Sequence, residues 1–209
     1  MSIQEERYSR LVEYVKDEIS GFEIRSKKGS RLMKLLSVVL FFNKSFLTNY
    51  ITTIYPRIYV PLLPWNPKRP ISRISTLAHE YVHLRDRKRL GWLFNILYLS
   101  PQIFALLAFG AFWNLWWLLA LGFLLPLPSP GRAWLEYRGY RMTAAVNWWL
   151  TGNRVNTVWL ERQFTGSAYY WMCPFSRFIE NRILNAIENI ESGENLPPEI
   201  LEIKLVLGV

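Results

Sequence analysis

Apolar residues recur every three or four positions over most of this chain, which is the spacing of amphipathic helices. Glu5–Ser20 shows this pattern and is followed by Gly21, so the pattern predicts a helix that ends at the glycine. A second helix is predicted over residues 30–40, capped by its first serine. A third is predicted over residues 70–90, because the proline that begins it suits a first helical turn.

A β-rich segment lies between the second and third predicted helices. Phe46–Pro61, FLTNYITTIYPRIYVP, is rich in β-branched and aromatic residues, so two short strands or an edge hairpin are predicted around Pro56. Helical spacing returns later, with one helix predicted over residues 132–150 and another after Pro174. The short tail after Pro198 is expected to be peripheral.

The segment Leu90–Gly131 contains no charged residue. One transmembrane helix needs about 20 apolar residues, and this segment is roughly twice as long, so two short crossings fit it. Pro101 is expected to kink the first crossing, and Gly110 and Asn114 to mark the turn. We therefore predict an apolar hairpin over residues 91–130 that is transmembrane or re-entrant, with a buried hairpin of a soluble protein as the alternative.

Together these elements predict a mainly helical α+β protein with a small β-element. At 209 residues the chain is long enough for one domain with a real core. We therefore expect a single domain over residues 1–209, into which the apolar hairpin is inserted.

The formal net charge of +9 indicates an anionic partner. The basic residues lie on both flanks of the apolar hairpin, at 85–89 and 132–141, which favours a lipid bilayer over nucleic acid. Two crossings put both flanks on one side, and the positive-inside rule predicts that this side is cytoplasmic. The lone Cys173 excludes an internal disulfide and is expected to be a packed thiol.

The candidate chemistry lies in the third predicted helix, in the stretch STLAHEYVHLRDRK. His79 and His83 are the only histidines of the chain, and residues four apart on a helix share one face. Both can therefore bind one metal ion, while Glu80 is turned toward a metal-bound water as general base. A catalytic zinc takes three protein ligands, so a third ligand must come from another element.

Elimination indicates a glutamate as the third ligand, because no other histidine exists and Asp86 lies on the same helix as His83. Glu136 is favoured, since its predicted helix begins where the apolar hairpin ends. A helical salt bridge between Glu136 and Arg132 is the alternative role for this residue. The other candidate ligands are Glu161, Glu180 and Glu188.

A parity argument supports Glu136. If the apolar hairpin crosses a bilayer, His83 and Glu136 can bind the same ion only when the crossings number two. The length of the charge-free segment allows that number. The sequence thus predicts one Zn2+ per chain, held by His79, His83 and Glu136.

The HEYVH motif, the apolar hairpin and the helix that carries Glu136 resemble the membrane-integral gluzincin peptidases of the HtpX and CAAX-prenyl-protease type. This resemblance implies a zincin-like helical core and peptide-bond hydrolysis of a peptide or protein substrate. It also implies that an edge strand at Pro56–Pro61 binds the substrate backbone. Tyr140 stands four residues after Glu136, where that family usually has an acidic side chain.

The sequence does not select the donor that would stabilise the oxyanion. Hydrolysis needs such a donor opposite the metal, and both histidines are already used as ligands. The candidates are Tyr140, Tyr169, Tyr170 and Arg177. We therefore predict a membrane-associated zinc metallopeptidase with its active site facing the cytoplasm. The alternative is a non-enzymatic membrane or assembly protein, whose aromatic hairpin binds lipid or a partner and whose metal is structural or absent.

Overall fold

The chain is mainly helical, as predicted. The computed structural model describes residues 2–39, 47–48, 51–65, 68–125, 127–167 and 171–209. In chain order these ranges contain α1 (Ile3–Glu18), β1 (Glu23–Ser26), α2 (Arg31–Val39), β2 (Thr52–Ile54), β3 (Arg57–Val60), α3 (Pro70–Leu90), α4 (Trp92–Leu99), two 3-10 helices (Gln102–Phe112 and Leu115–Leu124), α5 (Pro130–Thr151), α6 (Thr157–Thr165), α7 (Ser176–Ser192) and α8 (Pro198–Leu207).

The chain divides into two compact units. The first consists of Met1–Lys88 with Pro197–Val209, and the second of Arg89–Leu196. The expectation of one domain stays a prediction, because two compact units can still fold together as one domain.

The first unit contains a three-stranded sheet in the order β1-β3-β2. Strand β2 pairs antiparallel with β3, which confirms the predicted hairpin, and β1 pairs parallel with β3. The expectation that Pro56–Pro61 forms an edge strand is wrong, since Arg57–Val60 is the central strand. The reason is β1, a short polar strand that the sequence pattern did not reveal and that covers the second edge of β3.

The register of the sheet decides which side chains share a face. Thr53 lies directly opposite Ile58 in the β2–β3 pair, so the two side chains lie on the same face of the sheet. Ile58 is fully buried. Tyr59 points to the other face, where it packs against Met33 of α2. Both faces of the central strand are therefore covered.

Helix α8 belongs to the core of the first unit, so the expectation of a peripheral tail is wrong. Its side chains Ile200, Ile203 and Leu207 are fully buried. The carboxylate of Glu202 accepts hydrogen bonds from the Tyr14 hydroxyl of α1 at 3.2 Å and from Arg85 of α3 at 3.1 Å. One acidic side chain of α8 thus joins α8 to α1 and to α3.

The second unit is built on α5, which runs as predicted and ends at Gly152, where the backbone adopts φ +68°. Helices α6 and α7 pack together, and both α4 and α7 pack on α5. Cys173 is a buried free thiol in the core of this unit, which confirms its packing role. The members of that core are Ala133, Tyr140, Leu160, Phe164, Met172, Cys173, Ile179, Ile183 and Ile187.

Within the apolar hairpin of residues 91–130, the two 3-10 helices run antiparallel and pack against each other. Phe104 of the first contacts Phe123 of the second, with ring centroids 5.6 Å apart. Near the turn, a Cβ on Gly110 would lie 2.6 Å from the Trp117 ring, so the close approach requires glycine. The turn between the two 3-10 helices therefore lies near Gly110 and Asn114, as predicted. The break between α4 and the first 3-10 helix lies at Pro101, also as predicted.

The apolar hairpin exposes large side chains. Phe112 and Trp113 are 88% and 86% exposed. Among the described residues, no single helix has both the length and the apolar composition to cross a bilayer. Trp92–Leu99 and Gln102–Phe112 reach the required length only together, and they are bent by 92° at their break. The prediction of a transmembrane or re-entrant hairpin stays a prediction.

Candidate metal centre

Helix α3 carries the HEYVH motif and is buried on most of its sides. Its buried residues include apolar Leu77 and Leu84, but also the polar His79, His83 and Asp86. Burial of a polar side chain costs free energy unless a partner compensates for it. Two imidazoles in a buried helix therefore indicate a local role beyond packing.

The two imidazoles face each other one helical turn apart. The Nε2 atoms of His79 and His83 lie 3.1 Å apart, and their ring centroids are separated by 4.9 Å. Such a pair either shares one proton or offers both lone pairs to one cation. Two nitrogen ligands of a tetrahedral zinc ion lie about 3.3 Å from each other at ordinary bond lengths. The observed separation therefore suits two nitrogen ligands of one metal ion.

Glu136 is buried in the second unit, with 1% of its surface exposed. It lies in the second turn of α5, and its Oε1 atom accepts a hydrogen bond of 2.6 Å from the Tyr98 hydroxyl of α4. Gly131 allows α4 to come this close, because a Cβ there would lie 2.7 Å from the carbonyl oxygen of Leu97. Tyr98 thus orients one carboxylate oxygen of Glu136.

His79, His83 and Glu136 form one group of possible metal ligands. All three residues are buried, and one ligand atom of each lies within 4.8 Å of the ligand atoms of the other two. Two imidazoles and a carboxylate are a donor set that zinc binds in catalytic sites. The triad could therefore hold a metal ion, as the sequence predicted for these three residues.

The alternative role for Glu136, a solvated salt bridge with Arg132, does not describe the structure. The carboxylate is buried. The Arg132 guanidinium donates from Nε to the Tyr98 carbonyl oxygen at 2.7 Å and from Nη2 to the Gln102 side chain at 3.1 Å. Arg132 therefore helps to hold α4, which carries Tyr98, against α5.

Glu80 lies on α3 between the two histidines and is half-buried. Its Oε2 atom accepts a 2.6 Å hydrogen bond from the Thr53 hydroxyl of β2. The Lys27 side chain is fully buried in the turn after β1. Burial lowers the pKa of Lys27 to about 8, and the nearby Glu80 carboxylate acts in the opposite direction.

Of the remaining predicted site residues, those that the structure describes do not join this group. Tyr140 is buried in the core of the second unit, where its hydroxyl lies 3.4 Å from the Gln163 side chain. Arg177 is exposed beside Phe175 and Phe178. Tyr169 and Tyr170 lie outside the described residues. Of the alternative ligands, Glu180 and Glu188 are exposed, and Glu161 accepts a hydrogen bond from Ser176.

Sequence reasoning missed three residues that act on the candidate site: Tyr98, which donates to Glu136, Thr53, which donates to Glu80, and Lys27, on which the Glu80 charge acts. Tyr98 had a signal, since it is the only tyrosine in the charge-free segment and a buried hydroxyl needs a partner. Thr53 and Lys27 had none, because their positions depend on how β1, β2 and β3 pair.

The chain was also compared with known proteins. Neither family models, nor curated proteins, nor solved structures give a match. The function is therefore inferred from the residues and their geometry.

Proposed function

We propose that this protein is a zinc-dependent peptidase that hydrolyses peptide bonds. The observation that carries the proposal is the buried His79, His83 and Glu136 triad, with Glu80 next to the first histidine in the sequence. An HExxH helix with a distant glutamate is the ligand set of a hydrolytic zinc site, in which one coordination position stays open for water or substrate.

Each residue has a defined role in this proposal. When bound, zinc would polarise the scissile carbonyl and lower the pKa of water to about 7. His79, His83 and Glu136 hold the metal, and Tyr98 orients Glu136. Glu80 takes the proton from the attacking water and gives it to the leaving amine nitrogen, so that the amine departs neutral.

The first test is zinc content, measured by elemental mass spectrometry on protein purified in detergent without chelators. We expect about one zinc per wild-type chain and little in Glu136→Ala. Glu188→Ala, which removes an exposed glutamate of the same unit, is the matched control and should keep its zinc. Absence of zinc from the wild type, or equal zinc in all three proteins, would contradict the ligand assignment.

The second test separates catalysis from structural metal binding. Glu80→Gln removes the base without removing a ligand, so the variant should keep its zinc and its unfolding temperature. Its hydrolysis of a mixed library of fluorogenic peptides should fall by about 10²–10⁴-fold. Turnover equal to the wild type would remove Glu80 as the base, while a zinc-loaded wild type that cuts no peptide would favour the non-enzymatic alternative.

A second function, attachment to lipid, is supported by the exposure of the apolar hairpin. Trp113 and Trp116 are 86% and 75% exposed at its turn. Tryptophan side chains favour the interface between lipid and water, and the basic flanks favour an anionic leaflet. We expect the double variant Trp113→Ser, Trp116→Ser to bind anionic phospholipid vesicles at least tenfold more weakly. Trp171→Ser, which changes an exposed tryptophan outside the hairpin, should bind normally.

A further inference from the structure

Two side chains outside α3 and outside the ligand triad act on the carboxylate of Glu80, one through a hydrogen bond and one through its charge. The first is Thr53, the middle residue of β2, whose hydroxyl donates to Oε2 of Glu80 at 2.6 Å. In the part of the chain that the structure describes, Thr53 is the one hydrogen-bond donor to this carboxylate. Oε2 is therefore engaged, and Oε1 is the oxygen left for a proton transfer.

The position of Thr53 is fixed by the sheet. Its neighbour across the β2–β3 pair is Ile58, which is fully buried in the central strand. A threonine is also restricted at χ1, so its hydroxyl has few alternative directions. The donor to Glu80 is thus held by backbone pairing and by its own rotamer, which suits an orienting group.

The second side chain is Lys27. Its backbone N–H donates to the Val60 carbonyl oxygen at 2.8 Å and so continues the β1–β3 pairing by one residue. The side chain is fully buried, and the Glu80 carboxylate is the charge that acts on it. A buried ammonium is costly without a nearby anion. Lys28, the next residue, is exposed, so burial at position 27 is specific to that side chain.

We infer that Thr53 and Lys27 are positioning residues for Glu80: the Thr53 hydroxyl fixes one carboxylate oxygen, and the buried Lys27 ammonium attracts the same carboxylate electrostatically. The inference rests on the proposed function, because it concerns the same base. It extends that function to two residues outside the motif, one on β2 and one in the turn after β1.

The Thr53 side chain can be changed with little disturbance. Thr53→Val keeps the shape and the β-branching but removes the hydroxyl, whereas Thr53→Ser keeps the hydroxyl. A small misplacement of a catalytic group can cost about 10²-fold in rate. We therefore expect Thr53→Val to lower kcat by about ten- to hundredfold with KM within about twofold, while Thr53→Ser recovers most of the wild-type kcat. Zinc content should be unchanged in both.

Lys27 is tested with Lys27→Met and the matched control Lys28→Met, which removes the same charge from the exposed neighbour. Only Lys27→Met should lower kcat, and its zinc content should equal that of the wild type. A readout that does not depend on turnover is a double-mutant cycle of Thr53→Val with Glu80→Ala in chemical unfolding, since alanine, unlike glutamine, has no oxygen to accept the Thr53 hydroxyl. The two changes should be non-additive, because they remove the same hydrogen bond.

The outcomes separate this inference from the proposed function. Lower kcat in Thr53→Val and Lys27→Met, with recovery in Thr53→Ser and non-additive unfolding, would support it. A wild type that turns over substrate while Thr53→Val matches its kcat would overturn the inference alone, as would strict additivity in the cycle. A zinc-loaded wild type without turnover would overturn the proposed function and, with it, this inference.

Discussion

Removal of a single hydroxyl at Tyr98 gives a quantitative test of the candidate metal centre. The Tyr98 hydroxyl donates to Oε1 of Glu136 at 2.6 Å, a short distance typical of a charge-assisted hydrogen bond. Tyr98→Phe keeps the ring, which stacks on Phe94 with centroids 5.8 Å apart. Loss of a group that orients a ligand commonly weakens metal binding by about 10–100-fold, which corresponds to about 1.4–2.7 kcal/mol.

The assay is zinc affinity, measured by competition with a fluorescent chelator at one fixed pH. We expect the Kd of Tyr98→Phe to rise within this range. Tyr137→Phe is the matched control, because the Tyr137 hydroxyl donates to the backbone oxygen of Arg182 at 3.2 Å and should leave zinc affinity unchanged. Equal affinity in the wild type and in Tyr98→Phe would refute the orienting role of Tyr98.

Two further predictions concern stability. The pKa of Lys27 is about 8 in the folded protein and about 10.5 in the unfolded chain. Between these pH values the unfolded chain binds more protons than the folded protein. The free energy of unfolding therefore rises with pH over this range, by up to about 3 kcal/mol. Urea unfolding at several pH values should show this rise in the wild type and in the control Lys28→Met, but not in Lys27→Met. A rise that persists in Lys27→Met would show that another titratable group causes it. Gly131→Ala should lower the free energy of unfolding by about 1–3 kcal/mol, because the new Cβ would overlap Leu97, whereas Gly122→Ala meets nothing within 4 Å and should not. Equal unfolding midpoints for the two alanine variants would contradict the close packing of α4 on α5.

The elements that the sequence predicted well are those defined by local signals. Helix α5 ends at the glycine that the pattern indicated, and α3 begins at its proline. The closeness of His79 and His83 was predictable for the same reason, since helical spacing alone places both on one face. Glu136 was predicted as a neighbour of the histidines by elimination and chain topology, which need only the order of elements.

The elements that the sequence did not predict depend on distant partners. Strand β1 has four residues with polar character, and it is a strand because β3 pairs with it. That pairing also made β3 central and brought Lys27 to the end of the sheet. Helix α6 was likewise missed, and α8 was expected to be peripheral although Ile203 is fully buried. Tertiary packing, rather than local propensity, decided these cases.

The joining of α8 to α1 and α3 through Glu202 imposes an order on biosynthesis. Residues 89–196 must leave the ribosome before α8 does, so the second unit can fold while the first still lacks one of its helices. The helix that carries His79 and His83 therefore acquires its complete surroundings only after the chain has passed residue 198. A nascent chain that stalls earlier would leave Arg85 of α3 without its carboxylate partner and would expose the side of α1 that α8 covers, a surface that chaperones and proteases recognise.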